Sequence, residues 1–289
     1  MKRFLLKWSG VADNLRLFLI CLLLFVVGAF FSFWTFFPAE VLEQRLVQEI
    51  SRESGIKMRG DNAAMLVPLG LRLDLTVLSK YPELADLVIE DLRMTPAWAS
   101  LVTRNQAIAF KGDLAGGQLN SRIARDGDLS LRLREIRLLE LFGAEMAYRI
   151  NGLLTAEFQG ENLAAGAEQG QGTFSASIQQ ASVLGLEQIG LAADFPLGAV
   201  QIAGRFSDMR VSLEQLSVVG GALDVTGGGT LLVGPTPERT RLNLNIRLLP
   251  TTQTPVGVRD LLSLTGVRPT PDGSYTLQIG GTLARPVIR

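Results

Sequence analysis

The sequence contains no histidine and only one cysteine, Cys21. Ser-His-Asp and Cys-His catalysis, zinc sites of the Cys/His type and haem ligation by imidazole all need nitrogen or sulfur groups that this chain lacks. One cysteine cannot form a disulfide within the chain, and Cys21 lies in an apolar run, where it acts as a small hydrophobic residue. We therefore expect no catalytic residue, no metal site and no cofactor, and we predict that the protein is not an enzyme.

The sequence also has no excess of positive or negative charge. Lys and Arg together number 28, Asp and Glu together number 28, and the formal balance is 28 − 28 = 0. Such a total implies no basic face large enough to attract a polyphosphate, so nucleic acid is not expected as a partner. The 47% hydrophobic and 19% charged content is that of a folded chain with a sizeable core.

Charge is absent over the whole stretch from Leu17 to Phe37. At about 1.5 Å per residue this stretch spans roughly 31 Å as a helix, which matches a hydrocarbon core of about 30 Å. A cleaved signal peptide would be shorter and would end in small residues, whereas this run ends in bulky aromatic residues before Pro38: Phe33, Trp34, Phe36 and Phe37. The pattern predicts an uncleaved transmembrane helix at 17–37.

The charges on the two sides of this helix predict its orientation. Basic residues dominate before the helix and acidic residues follow it, which favours a cytoplasmic N-terminus. The residues concerned are Lys2, Arg3, Lys7 and Arg16 against Asp13 on one side, and Glu40 and Glu43 on the other. Residues 1–16 are then a cytoplasmic tail, and the chain after Pro38 lies on the far side of the membrane.

A second helix, a neck at residues 38–54, is predicted next to the membrane segment. Proline suits the first turn of a helix, and Gly55 can end it. Val41, Leu42, Leu46 and Ile50 recur at helical spacing. The neck could bind a partner or cover one end of the following domain, and we favour the second interpretation.

Residues 55–289 show the alternation of a β-rich domain. Apolar residues recur at every second position in several segments, which is typical of half-buried strands. Examples are Leu71 to Val77, Leu129 to Leu133, Phe174 to Ile178, Leu242 to Leu248 and Tyr275 to Ile279. Pairs such as Gly116-Gly117, Asp126-Gly127, Gly220-Gly221 and Asp272-Gly273 supply the positive φ angles of tight antiparallel turns.

The predicted sheet has to cover itself. Only Pro96 to Arg104 and Val258 to Leu264 look helical in this region, and two short helices cannot cover a sheet of about a dozen strands. The sheet could close as a sandwich or barrel, or curve and leave an apolar trough. The candidate residues for this groove or core are Leu242, Leu244, Ile246, Leu248, Leu277 and Ile279.

A weak internal repeat indicates two duplicated sheet units. Gly116-Gly117-Gln118-Leu119 and a following strand that ends in Ile-Arg-Leu are echoed by Gly220-Gly221-Ala222-Leu223 and a second Ile-Arg-Leu. Convergent hairpin patterns would give the same signal, and this alternative stays open.

Two charged groups offer alternatives to a purely structural role. The carboxylates Asp86, Glu90 and Asp91 could form an acid/base pair, so an enzyme that acts on envelope polymers is a third class of function. Arg132, Arg134 and Arg137 could bind acidic headgroups, but such a row is more often the solvated face of a sheet. We favour the solvated interpretation for both groups.

The order of these features resembles the type II secretion system protein N family (GspN), whose members are similar to compact AsmA-type envelope proteins. The resemblance lies in a basic anchor that leads into Pro38 and a neck helix, and then in short motifs along nearly the whole chain. These motifs are Gly55-Ile56, Leu69-Gly70-Leu71, Leu87 to Met94, Pro96 to Leu101, Gly116-Gly117 and the C-terminal Gly280 to Pro286.

The resemblance implies a single-pass inner-membrane protein whose C-terminal domain is periplasmic. It implies an accessory or structural component of type II protein secretion, with other secretion-system subunits as partners. The AsmA kinship implies an alternative, a lipid-binding or lipid-transfer protein whose apolar groove shields acyl chains. It also implies the fold, a curved antiparallel sheet in the form of an AsmA-like half-open barrel or sandwich.

Overall fold

The computed structural model of the protein describes residues 22, 24, 25, 39–67, 69–79, 84–97, 100, 105–143, 146–165, 169–189, 194–264 and 267–288. Two α-helices and fourteen β-strands have described bounds. Helix α1 is Ala39–Ser54 and helix α2 is Val256–Leu264. The strands are β1 Met58–Leu66, β2 Gly70–Val77, β3 Leu87–Pro96, β4 Ala107–Leu114, β5 Gly117–Ala124, β6 Leu129–Arg137, β7 Arg149–Glu161, β8 Gln171–Leu184, β9 Asp194–Ser207, β10 Arg210–Gly220, β11 Leu223–Leu232, β12 Arg241–Pro250, β13 Tyr275–Gly281 and β14 Pro286–Ile288.

All fourteen strands form one antiparallel sheet in sequence order. Each strand pairs with the strand before it and the strand after it, so the sheet is a simple meander with β1 and β14 at its edges. The prediction of a mainly β fold with an antiparallel sheet is confirmed. Within the described residues the sheet is open, because β1 pairs with β2 and β14 pairs with β13 while the two edges do not pair with each other.

The register of the sheet sorts the side chains onto two faces. Cross-strand partners share a face, and successive residues alternate between faces. In one such row, Leu131 of β6 lies between Ser121 and Phe158 of the neighbouring strands, and Phe158 lies beside Phe174 of β8. The side chains of this row are half-buried, whereas the intervening Arg132 is exposed. One face is therefore apolar across the sheet, and the other face is polar.

The two ends of the strands differ in burial. We call the end where α1 leads into β1 the base, and the opposite end the distal end. Three clusters of buried apolar residues lie toward the base, centred on Ile136, Phe195 and Val200. Ile136 has no exposed surface at all. Buried apolar residues also occur at the distal end, where Leu71 near the start of β2 is 5% exposed. The described clusters therefore lie at the base, but burial is not confined to it.

β-Bulges interrupt the hydrogen-bonding ladders between strands near these clusters. Register shifts occur in β1, β3, β6 and β8, where non-glycine residues take up positive φ angles: Asn62, Asp91, Glu135 and Gln180. A bulge bends its strand and increases the local twist. Open sheets of more than about ten strands curl or split, and repeated bulges give this sheet the means to curl around its apolar face. The curved form of the predicted sheet stays a prediction.

Several sequence predictions can be compared with these elements. The neck helix is confirmed, because α1 covers Ala39–Ser54 and Gly55 follows with a φ of 65°. The later helix at Val258 to Leu264 is confirmed as α2, which begins two residues earlier. The prediction of a helix from Pro96 is wrong at its first residue. Pro96 ends β3, since an extended proline is compatible with the end of a strand.

The two copies of the proposed repeat occupy corresponding hairpins. Gly116-Gly117 opens β5, which pairs with β6, and Gly220-Gly221 precedes β11, which pairs with β12. Both hairpins belong to the same continuous sheet. The duplication itself stays a prediction.

The predicted membrane segment lies almost entirely outside the described residues. Leu22, Leu24 and Phe25 are its described members, and these three are helical and exposed. Within the described ranges, the helices lack the combination of length and apolar character that crossing a bilayer requires. The transmembrane helix at 17–37 stays a prediction.

Candidate functional site

The predicted groove residues lie side by side on the apolar face near the C-terminal edge of the sheet. Leu244 of β12 pairs with Ile279 of β13, and Ile246 pairs with Leu277. Leu242 and Leu248 continue the same row along β12, and the side chains of all six residues are half-buried. The structure therefore brings the whole predicted set together on one face.

Two glycines on the neighbouring strand β11 support this row. Gly229 lies opposite Leu244, and Gly227 lies opposite Ile246. A Cβ atom at Gly229 would lie 2.7 Å from the Cα of Leu244, and Gly229 also has a φ of 153°. Glycine is therefore required at this position. The absence of a side chain on β11 lets the leucine and isoleucine of β12 lie close to the backbone of the sheet.

Aromatic side chains form the floor of the same face farther toward the centre of the sheet. The rings of Phe158 and Phe206 stack with their centroids 5.5 Å apart. Gly172 lies beneath one of these rings, because a Cβ added there would lie 2.6 Å from the Cε1 atom of Phe206. Gly204 has the same relation to Phe174, at 2.6 Å from its Cζ atom. We call Phe158, Phe174 and Phe206 the aromatic floor.

Sequence reasoning identified Phe174 as a strand residue but did not find the aromatic floor. The partners of each ring lie on adjacent strands, and pairs such as Gly172 with Phe206 depend on the register of β8 with β9. A glycine that occupies an apolar position of an alternating strand is a signal that could have indicated the site. It marks a position where a large side chain from a neighbouring strand covers the backbone.

The base of the apolar face is closed by packing. Helix α2 places Val258 and Leu262 against Phe195 and Ala222, and Leu248 and Tyr275 pack against the same cluster. The row of groove residues on β12 therefore ends in a buried core at the base. An apolar ligand along this row would meet closed packing at that end.

The distal end of the same face is exposed at β4 and β5. Ile108 of β4 and Ile123 of β5 pair with each other near this end, and their side chains are 51% and 46% exposed. Large apolar side chains on the inner face of a sheet are normally covered. The apolar face is therefore packed at the base beside α2 and exposed at the distal ends of β4 and β5.

Helix α1 contacts the first strand through a buried carboxylate. Glu43 is only 8% exposed, and its side chain lies against Gly60 of β1. The pKa of the Glu43 carboxyl is raised, chiefly because burial removes water and also because Asp61 and Glu40 are nearby, while a hydrogen bond from the Ala63 backbone opposes the shift. Helix α1 thus packs against β1 at an electrostatic cost, and its role as a cover for one end of the domain stays a prediction.

The three carboxylates weighed for catalysis occupy different settings. Asp86 accepts a hydrogen bond from the Ser79 backbone at 2.9 Å, and Asp91 forms ion pairs with Arg72 and Arg93. Hydrogen bonding from Arg93 lowers the pKa of Asp91. These contacts are structural and hold the bulge in β3.

Glu90 faces a second carboxylate. It pairs in register with Asp113 of β4, and both side chains are exposed beside a shallow depression that Asp86 and Glu140 also line. Water reaches both groups, so the low-dielectric setting that tunes catalytic carboxylates is lacking at this pair. The enzyme alternative stays a hypothesis.

The arginine row of β6 is solvated and paired. Arg132 contacts Glu157 at 3.2 Å, and Arg137 contacts Glu140 at 3.0 Å, with both arginines more than half exposed. Exposed pairs of this kind contribute little to stability. These contacts agree with the favoured interpretation that the arginines lie on a solvated outer face of the sheet.

Within the described ranges, acidic and cysteine side chains do not gather into a group of three or more that could hold a metal ion.

The comparisons with known proteins add no relative: no protein-family model, curated protein or solved structure matches this chain.

Proposed function

We propose that this protein is an inner-membrane-anchored, periplasmic component of the bacterial envelope, related to GspN and AsmA-type proteins, that acts as an accessory or structural part of type II secretion. The observation that supports this proposal is the architecture, a neck helix that leads into a single open antiparallel meander with one apolar face. Several motifs that carry the resemblance coincide with structural units. Leu87 to Met94 lie in β3, and Gly280 to Pro286 contain the turn between β13 and β14.

Deletion of the gene in its native host tests this role. Folded enzymes that leave through the outer membrane secretin should accumulate in the periplasm, and re-expression of the full chain should restore their release. Periplasmic delivery of proteins that do not use this pathway serves as the control. Undiminished secretion by the deletion strain would contradict the proposal.

A second candidate function is lipid handling by the apolar trough, and the open distal end of that trough favours it. The apolar face offers half-buried leucine, isoleucine and phenylalanine side chains, and Ile108 and Ile123 near its distal end are exposed. Burial of apolar surface contributes about 25 cal/mol per Å², so an acyl chain gains free energy by lying there. A membrane anchor would keep the trough beside a source of such chains.

Charged substitutions in the groove row test lipid handling. Leu244→Asp and Ile246→Asp introduce a carboxylate that water can reach from an open trough, so the full-length protein should stay folded but lose co-purified lipid, as measured by mass spectrometry. Asn245→Asp is the matched control, because Asn245 lies between them on the polar face of the same strand and is exposed. Unfolding of both groove variants, together with lipid-free wild-type protein, would contradict lipid handling and leave a structural role.

A further inference from the structure

The hairpin that joins β1 to β2 at the distal end has an apolar turn. Val67 and Leu69 lie in this turn, and their side chains are 72% and 50% exposed. The sequence carries no charge from Asn62 to Leu71. Turns that face water are usually built from glycine, proline, asparagine, aspartate and serine. Two exposed branched apolar side chains in this turn therefore indicate that it meets an apolar environment.

Exposed apolar residues also lie at the same end of two nearby strands. Ile108 near the start of β4 pairs with Ile123 near the end of β5, and their side chains are 51% and 46% exposed. Strand β3 lies between β4 and the hairpin of β1 and β2. Exposed groups of large apolar side chains mark contacts with a protein or a membrane. We call Val67, Leu69, Ile108 and Ile123 the distal apolar group.

Exposure alone does not decide which end of the sheet would meet a membrane. Val256, in the first turn of α2 at the base, is 73% exposed. Charged residues lie near it in the chain, since Arg259 and Asp260 follow on the same helix and Asp272 lies in the turn before β13. The observation that distinguishes the two ends is the direction of helix α1.

Helix α1 runs back along β1 toward the distal end. A short connection joins its last residue, Ser54, to the start of β1 at the base. Glu43, near the other end of the helix, lies against Gly60 within β1, and the Ala63 N–H donates a hydrogen bond to its carboxylate. The helix and the strand are therefore antiparallel, and the first residue of the helix, Ala39, lies on the distal side of this contact.

The position of Ala39 relative to the hairpin turn follows from element geometry. Ala39 lies one helical turn, about 6 Å, beyond Glu43. Along β1, Val67 lies about four residues, or roughly 13 Å, beyond Ala63 in the same direction. The predicted membrane segment at 17–37 directly precedes α1 in the sequence. Such an anchor would enter the domain beside the distal apolar group and not beside the base.

We propose that the distal end of the domain lies on the membrane that holds the anchor, and that Val67 and Leu69 insert into the interface of this membrane. The inference rests on the membrane-anchored architecture proposed above. Insertion at the boundary between headgroups and acyl chains removes the two exposed side chains from water. The base, with α2 and its charged connections, then faces away from the membrane.

Fluorescent labels on the full chain test this arrangement. Val67→Cys and Val256→Cys, each in a Cys21→Ser background, place an NBD label at valines of nearly equal exposure at opposite ends of the sheet. The labelled chains are reconstituted into vesicles of phosphatidylethanolamine and phosphatidylglycerol, with or without lipid that carries a nitroxide near its headgroup. Because inserted side chains lie roughly 5 to 10 Å into the interface, the nitroxide should quench the label at position 67 at least about threefold more than the label at position 256.

A charge in the turn provides a second measurement. Leu69→Asp, added to the chain labelled at position 67, should reduce quenching to the level seen at position 256, since a charged side chain resists transfer from water into the membrane. Gln253→Asp is the matched control, because it adds the same charge at an exposed position of the base. This control should leave the quenching at position 67 unchanged.

The outcomes separate this inference from the function on which it rests. Release of the wild-type chain from the vesicles by alkaline carbonate would overturn membrane anchoring and the inference together. A chain that stays in the vesicles while both labels are quenched equally, or while Leu69→Asp has no effect, would overturn the inference alone. A label at position 67 that is shielded from water but not quenched by the lipid would show that protein covers the turn, which also contradicts insertion.

Discussion

The base and the distal end of the sheet contain the same kind of strand but bury it differently. At the base, Ile136 has no exposed surface and packs with Ile89, Leu92 and Leu114. Five residues earlier on the same strand and the same face, Leu131 is only half-buried. Alternation alone therefore does not decide which apolar residues form a core and which line a surface. The bulge between Leu133 and Ile136 separates the two environments.

The base and the distal end of the sheet are also expected to contribute differently to stability. The three clusters at the base contain Ile136 and Ala222, which have no exposed surface, and one cluster includes helix α2, so a large share of the packing free energy should reside there. The distal end of the apolar face has no such cluster among the described residues. At that end Ile108 and Ile123 are exposed, whereas Leu71 of β2 is buried.

The largest expected effect comes from placing a charge in the base. Ile136→Asp buries an unpaired carboxylate, which should cost several kcal/mol of a total stability of roughly 5 to 15 kcal/mol and unfold the domain. Leu131→Asp, the matched change at the distal end, should cost about 1 to 2 kcal/mol, since water reaches the site. Chemical denaturation of both full-length variants measures the difference, and equal losses would mean that the two ends do not differ.

Overpacking beneath the aromatic floor should have the next largest effect. A methyl group at Gly204 collides with the Phe174 ring and with the Ser212 carbonyl, so Gly204→Ala should destabilise the protein by about 1 to 3 kcal/mol. Gly280→Ala is the control, because the nearest atom to its added Cβ is 3.9 Å away. Thermal unfolding should separate the two variants, and a harmless Gly204→Ala would show that the ring does not lie on the glycine.

A smaller effect is expected where α1 meets β1. The raised pKa of Glu43 means that the folded state binds its proton more tightly than the unfolded state does. The stabilising contribution of the protonated Glu43 carboxyl is present below its ordinary pKa of 4.5. It is lost as the pH rises through the raised pKa of the folded state. Glu43→Gln should therefore stabilise the protein near pH 7, by on the order of 1 kcal/mol, and this gain should shrink as pH falls toward 4.5.

The exposed Glu49 on the same helix provides the control for this pH dependence. Melting curves of wild type, Glu43→Gln and Glu49→Gln between about pH 4 and about pH 8 measure the effect. This range is wide enough to cover the titration of one carboxyl group. A stability difference between wild type and Glu43→Gln that does not change with pH would exclude a titrating carboxylate at the neck.

The smallest effect is expected at the turn before β13. Asp272 accepts hydrogen bonds from Thr270 and Ser274 and pairs with Arg247, and these contacts lower its pKa well below the ordinary value of 3.8. Its stabilising contribution is present above pH 3.8 and is lost as pH falls through the lowered value. Asp272→Asn should lower the melting temperature by no more than about 2 °C at pH 7, and the difference should vanish in strong acid.

The exposed Asp194, also at the base, is the corresponding control position. Asp194→Asn removes one carboxylate from an exposed position at the base, so it controls for the loss of a charge. An Asp272→Asn variant that melts like the wild type at pH 7 would indicate that solvent screens the turn completely.

The sequence by itself determined the strands, their turns and the neck helix. Period-two alternation is a local property, and it predicted the half-buried strand from Leu242 to Leu248 and its outward-facing Asn243, Asn245 and Arg247. The glycines of the turns act locally too, since Gly116 and Gly273 take up the positive φ angles that their turns require. Both signals act between residues that are close in the chain.

Only the tertiary structure decided how the strands are arranged and where the apolar face is exposed. The stacking of Phe158 on Phe206, the glycines beneath the aromatic floor and the contact of Glu43 with Gly60 join residues that are remote in sequence. Their positions depend on register and on bulges, and a shift of one residue in either would move each side chain to the other face. The same nonlocal pairing leaves β1 and β14 as separate edges, and for that reason the alternating pattern alone could not distinguish an open trough from a closed barrel.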